Sequence, residues 1–225
     1  SLCARQPQFG TCRTDLIKGD FLQLFGDGDL FGAQPMIEPV DIIIANPPYV
    51  RTQVLGARRA QQLASRFGLT GRVDLYQAFL VGMAKQLRSG GILGVIVSNR
   101  FLTTRAGTAA RRFLRTNFEL IEIVDLGDTK LLEAAVLPAL VFARRLGRGQ
   151  SPPVADSSFV RIYEAACGGT TGAEPVPSVL HCLRDPRSGL VCVDGATYRI
   201  TVGRLSISND DAKPWALLAD GRRIH

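Results

Sequence analysis

Asp41-Ile42-Ile43-Ile44-Ala45-Asn46-Pro47-Pro48-Tyr49 is the stretch on which the fold of this chain turns. Its continuous β-branched run predicts a strand buried on both faces, as in a parallel sheet. Two prolines then end it, because each lacks an N–H and fixes φ. The strand must stop and turn at its C-terminal edge, presenting one amide and one phenol there. In open α/β sheets that edge is where ligands bind.

Asn-Pro-Pro-Tyr suits a particular chemistry. An amino group conjugated to an aromatic ring or a carbonyl is a poor nucleophile, because its lone pair is delocalised. The Asn46 side-chain oxygen and the Pro47 carbonyl can both accept hydrogen bonds from such a group, and Pro48 has no N–H to compete for them. Fixed acceptors favour the nitrogen as it gains positive character during attack. Tyr49 can offer its ring face to a planar base taken out of its stack. The plainer reading is a strand-ending turn with an incidental aromatic.

The flanking sequence extends the pattern in both directions. Upstream, Asp15 to Lys18 is a short strand candidate, followed by Gly19-Asp20-Phe21-Leu22. Downstream, Asp74-Leu75-Tyr76-Gln77-Ala78-Phe79-Leu80 opens a helix, and Leu87 to Val97 reads as its end, a glycine turn and a strand. Ile121 to Gly127 and Pro138 to Ala143 read as two further strands, close enough to pair antiparallel. Arg105 to Thr116, ahead of Ile121, forms an amphipathic helical pattern.

In this order the motifs resemble S-adenosylmethionine-dependent amino-methyltransferases, especially adenine-N6 DNA methyltransferases of restriction–modification systems, over residues 15 to 146. The resemblance implies an α/β, Rossmann-like methyltransferase core. It implies a site-specific enzyme that carries a methyl group from S-adenosylmethionine to a flipped adenine. Asn46, Pro47, Pro48 and Tyr49 would then be catalytic and hold the base. Asp20 would accept a hydrogen bond from the cofactor's adenine amino group, with Phe21, Phe79 and Pro48 lining its pocket. Two residues have simpler alternatives: Asp20 can cap the segment that follows it, and Phe79 stands at core spacing with Leu75, Met83 and Leu87. Other members of the wider class methylate a protein glutamine or an RNA guanine. A catalytically silent DNA-binding fragment is a further alternative.

Three features depart from the family pattern. Leu132 stands where many members carry an aromatic that stacks on the target base. The glycine-rich turn and the acid that hold the rest of the cofactor have no counterpart before Asp15, so the core is expected to be incomplete, with its first strands missing. That leaves a gap beside the Asp41–Ala45 strand and implies a larger polypeptide. Ala166 to Gly172 superficially resembles the missing cofactor loop, but Glu174-Pro175-Val176-Pro177 follows where a helix should start; it reads as a surface loop.

Composition is consistent with a globular α/β protein: 225 residues, 46% hydrophobic and 21% charged. No apolar run is long enough to span a membrane. The five cysteines form no Cys-x-x-Cys pair and only two histidines are present, so no metal site is expected. Free thiols suit a reducing cytoplasm. The net charge of +7 comes mainly from 23 arginines, which favours an anionic partner, and the resemblance implies that this partner is double-stranded DNA. Arg51, Arg58, Arg59, Arg66 and Arg72 follow the Asn-Pro-Pro-Tyr turn. Arg100, Arg105, Arg111, Arg112 and Arg115 follow the Val95–Ser98 strand. Both groups are expected on the catalytic rim; Arg51, Arg58, Arg59 and Arg105 are the leading phosphate contacts. The alternative is arginine spread over solvated faces. By composition, residues 1–14 are an irregular lead-in, 15–146 the core and 147–157 a linker. Residues 158–225 are a small β-rich extension leading toward a DNA-recognition region, with strand pieces at Phe159–Tyr163, Val179–Leu183, Leu190–Val193 and Tyr198–Val202. The remainder of the same polypeptide or a specificity subunit is the expected protein partner.

Overall fold

The computed structural model describes residues 15–24, 38–49, 54, 56–69, 74–129, 137–152, 157–165, 172–219 and 222–224. The strands are β1 (Val40–Ala45), β2 (Leu87–Ser98), β3 (Phe118–Asp125), β4 (Pro138–Arg145), β5 (Ser158–Glu164), β6 (Glu174–Pro175), β7 (Gly189–Val193), β8 (Ala196–Ser206), β9 (Ala216–Ala219) and β10 (Arg222–Ile224). They form one sheet in the order β1-β2-β4-β3-β5-β8-β7-β6, with β9 paired to β8 and β10 to β9. β1 is parallel to β2, and β4 is antiparallel to both β2 and β3. β3 therefore runs parallel to β2, and β5 parallel to β3. The consequence for function is that β1, β2, β3 and β5 all end on the same edge of the sheet.

The helices described in full beside the sheet are α1 (Phe21–Leu24), α2 (Ala57–Phe67), α3 (Leu75–Gln86), α4 (Arg100–Thr103) and α5 (Thr108–Asn117). Strand alternation decides which side chains meet them. Leu93, Val95 and Val97 of β2 and Ala139, Val141 and Ala143 of β4 point into one core with Tyr76, Leu80 and Met83 of α3 and Leu114 of α5. The intervening residues of β3 and β5, Val124, Val160 and Ile162, face a second core with Val179, Val191 and Ile200. α3 is buried on most sides, because α2 and α1 pack on it away from the sheet through Phe67 and Leu22.

The glycines before β2 have a local cause. Between Val40↔Leu87 and Ile42↔Ile92 the register takes up extra residues on β2. Gly90 supplies the left-handed backbone needed there (φ +82°), and Gly91 lies so close to Asp41 and Arg88 that a Cβ would crowd both carbonyls. β2 thus begins directly at Leu87, not after a separate turn.

Four sequence expectations require correction. β1 is not buried on both faces: Ile43 and Ala45 pack on the core, whereas Ile42 is 61% and Ile44 87% exposed. Among the described residues β1 pairs only with β2, leaving its outer edge and second face uncovered. Asp15 to Lys18 is not a strand; Leu16 is 97% exposed, and among the described residues no strand pairs with this segment. Val179–Leu183 is a 3-10 helix, because Ser178 caps it by accepting from the His181 N–H at 3.2 Å. The helix expected from Arg105 starts instead with a 3-10 turn, Arg105–Gly107, and becomes regular at Thr108. Gly107 packs against the Phe101 backbone there, where any Cβ would collide. Asp194-Gly195 closes the β7–β8 hairpin, both residues having positive φ.

Candidate functional site

The Asn46–Tyr49 turn leaves the C-terminal end of β1 at the shared edge. Asn46 and Pro48 are exposed, Pro47 is buried and Tyr49 is half-buried. A buried proline between an exposed amide and an exposed proline anchors the turn while leaving the Asn46 amide at the surface. The Tyr49 hydroxyl donates to Asn46 Oδ1 at 2.9 Å. The phenol and the amide are therefore neighbours, and the amide oxygen is engaged by the ring's own O–H. Burial pushes the Tyr49 pKa up to about 12, so the phenol stays a neutral donor at physiological pH.

Of the residues that the resemblance assigns to the cofactor, Phe21 and Phe79 come together, while Asp20, next to Phe21, is engaged by the backbone that follows it. Asp20 Oδ1 accepts from the Leu22 N–H at 3.0 Å, so the carboxylate caps α1. Phe21, the next residue, stacks on Phe79 of α3 with ring centroids 5.2 Å apart and planes 6° from parallel. The two rings form one aromatic wall. They are too close to admit a third ring between them, since stacked planes stand about 3.4 Å apart and two such spacings exceed this separation. Asp20 is exposed, and its second carboxylate oxygen makes no hydrogen bond among the described residues.

The arginines divide. Arg58 and Arg59 lie exposed in the first turn of α2, and Arg105 is exposed just after α4. Arg111 is 0% exposed and does not face a rim at all. It donates to the carbonyls of Phe101 (2.6 Å), Thr104 (2.9 Å) and Asp211 (3.0 and 2.8 Å). Arg112 and Arg115 pair with the Asp211 carboxylate, each at 2.9 Å. Burial works against that charge, but the two guanidinium hydrogen bonds outweigh it and hold the Asp211 carboxyl below its ordinary range. The physical reason for the correction is pairing: the Arg111 guanidinium turns inward onto the carbonyls of Phe101, Thr104 and Asp211, and Arg112 and Arg115 are held by the Asp211 carboxylate. Arg51, Arg72, Leu132 and most of the Ala166–Gly172 loop lie outside the described residues.

A second polar group at this edge was not singled out by sequence reasoning. Asp125, the last residue of β3, is 2% exposed. Its carboxylate accepts from Asn99 Nδ2 (2.9 Å), the Tyr163 hydroxyl (2.9 Å) and the Gly127 N–H (3.2 Å). The Arg161 guanidinium stands 3.6 Å away and lies over the Tyr163 ring. Burial first, and then the Asp125 charge, push the Tyr163 pKa up to about 12, so that phenol also remains a donor. The only local signal in the sequence is an acid closing an apolar strand at the ligand-binding edge.

Among the described residues no group of acids, cysteines and histidines is placed to hold a metal ion, and no helix is long and apolar enough to cross a membrane. Residues 28–131 match the family model described as Eco57I restriction-modification methylase. The chain is 43% identical to the type II methyltransferase M.BanIII of Aneurinibacillus aneurinilyticus over 96% of its own length and 38% of that protein's. It is 28% identical to the type II methyltransferase M.PaeR7I of Pseudomonas aeruginosa, over 72% of this chain and 27% of the relative. A solved structure of the type I restriction-modification methyltransferase subunit from Streptococcus thermophilus aligns over 63% of this chain and 29% of that one, with 19% identity and a TM-score of 0.43. The chain thus spans well under half the length of the curated relatives it matches. By sequence, it is related to the restriction–modification methyltransferases, and the family's match covers the Asn46–Tyr49 turn.

Proposed function

We propose that this chain carries the base-holding turn of a cytoplasmic DNA adenine-N6 methyltransferase that uses S-adenosylmethionine within a restriction–modification system. The observation that carries this reading is the Asn46–Tyr49 turn, an exposed amide beside a phenol at the edge where four strands end together. On this reading Tyr49 swings from Asn46 to stack on a flipped adenine. Asn46 Oδ1 and the Pro47 carbonyl then accept from the N6 amino group, localising its lone pair on nitrogen. That lone pair would then be available to take the methyl carbon as its bond to the cofactor's sulfur breaks, the sulfonium becoming a neutral thioether and the extra amino proton passing to solvent. The cofactor supplies an activated methyl group on a positively charged sulfur. Arg58, Arg59, Arg105 and Arg51 neutralise phosphates of double-stranded DNA, and the rest of the polypeptide or a specificity subunit completes target recognition.

The residues here fit one side of an adenosine. The free carboxylate oxygen of Asp20 can accept from the adenine amino group, and the Phe21–Phe79 pair offers an aromatic wall. Pro48, exposed at the turn, would close the pocket from the base side. Alignment and exclusion of water then supply much of the rate. The test is incubation of the full-length protein with methyl-labelled S-adenosylmethionine and unmethylated DNA, followed by nucleoside analysis. Label in N6-methyladenine is the expected result. Label in another nucleoside overturns the adenine reading, and no label in DNA overturns the DNA reading altogether.

A further inference from the structure

The geometry points to Asp125 as a positioning residue for the proposed methyl transfer, acting by locking together the ends of β2, β3 and β5 at the edge that carries the Asn46–Tyr49 turn. Its carboxylate is 2% exposed and therefore does not touch substrate. Three strand spacings, roughly 14 Å, separate its strand from β1. Its reach comes through its partners. Asn99 follows β2, the strand that pairs with β1, and its side chain is held by Asp125 at 2.9 Å. The Asn99 N–H in turn donates to the Leu137 carbonyl at 2.8 Å, where the chain enters β4. On the other side Leu126 N–H donates to the Pro138 carbonyl at 3.0 Å, so both ends of the β3–β4 connection are tied at this hub.

Tyr163 brings in β5. Its hydroxyl donates to Asp125, and its ring lies against Gly127, whose φ of +49° and lack of a Cβ allow the close approach. Asp128 adds a further tie by accepting from the Glu164 N–H at 2.9 Å. A buried carboxylate is an inefficient way to gain stability alone, since apolar residues of like volume often serve as well or better. What it adds is direction: one anion collects donors from three strand ends and admits one arrangement of them. That fixed edge is what a base held at β1 needs on its far side.

The inference rests on the proposed methyl transfer, and the experiment separates the two. In the full-length protein, Asp125→Asn removes the charge, and Tyr163→Phe removes one hydroxyl while keeping the ring over Gly127. Steady-state transfer to unmethylated DNA is measured beside calorimetric binding of S-adenosylmethionine and thermal unfolding. Both variants are expected to lose about 10- to 100-fold in kcat, the scale of a small misplacement. KM for cofactor and DNA should stay within about twofold, since neither binding surface is altered. If Tyr163→Phe keeps full kcat, or if the loss follows only the fraction of folded protein, the positioning role is wrong. A wild-type protein that transfers no methyl group to DNA overturns the functional reading and the inference with it.

Discussion

Replacing Arg111 by methionine should destabilise this protein far more than the same change at the next residue. The Arg111 guanidinium is fully buried and satisfies the carbonyls of Phe101, Thr104 and Asp211 and the Thr108 hydroxyl. Methionine keeps most of the aliphatic volume and leaves those acceptors unpaired. Each unsatisfied buried acceptor costs about 1–3 kcal/mol, but the Asp210–Lys213 turn lies partly exposed, where water can repair some of the loss. A net cost of about 3–5 kcal/mol follows if two of those acceptors stay unpaired. That is a large part of the ~5–15 kcal/mol that holds a typical domain together. Arg112 contacts the same Asp211 from a side chain that is 63% exposed, so Arg112→Met should cost only about 0–1 kcal/mol. Urea unfolding followed by circular dichroism reads both. Equal midpoints for the two variants, or a lower one for Arg112→Met, would refute the structural role given to the buried guanidinium.

Asn46→Ala should abolish methyl transfer while leaving S-adenosylmethionine affinity unchanged; calorimetry showing loss of cofactor binding would contradict an acceptor role. Tyr49→Phe removes the 2.9 Å bond to Asn46. An exposed neutral bond is worth about 0.5–1.5 kcal/mol, so base engagement should tighten by about 2- to 10-fold; a weaker KM for DNA would show that the hydroxyl serves the substrate. Tyr49 and Tyr163 keep their protons to about pH 12 in the folded state, against 10.0 ordinarily. The folded protein then binds more protons than the unfolded chain, so stability should fall as pH rises from about 10 to 12, and less steeply in Tyr163→Phe. A flat profile over that interval would refute the burial of these phenols. Arg58→Gln with Arg59→Gln should lower the salt dependence of DNA binding by about two ion equivalents, whereas Arg111→Met should leave it unchanged in folded protein.

Much of the fold was legible because its punctuation is local. Pro47 and Pro48 end β1, Gly90 and Gly91 shape the entry to β2, and Asp194-Gly195 closes the β7–β8 hairpin, each through the φ its own backbone can adopt. The errors came where a local pattern had to stand in for a distant partner. Asp15 to Lys18 has a strand-like core of Leu16 and Ile17, but among the described residues no strand pairs with it, and both apolar side chains are exposed. Val179–Leu183 is apolar enough for a strand, yet a serine cap made it a 3-10 turn. Ile42 and Ile44 belong to a sequence that asks for burial on both faces, while the described residues cover only one.

By itself the sequence determined the Asn46–Tyr49 turn and its place at a C-terminal strand edge, since prolines stop a ladder wherever they occur. Only the tertiary structure separated Arg111 from Arg105, residues with the same charge in one helical stretch. One is spent on main-chain carbonyls up to 101 positions away; the other faces solvent. It also decided that Asn99, Asp125 and Tyr163 meet, across 26 to 64 residues of chain. Backbone conformation is fixed by a residue and its neighbours, but the pairing of a charge depends on which strands lie side by side, and that is settled only when the sheet forms.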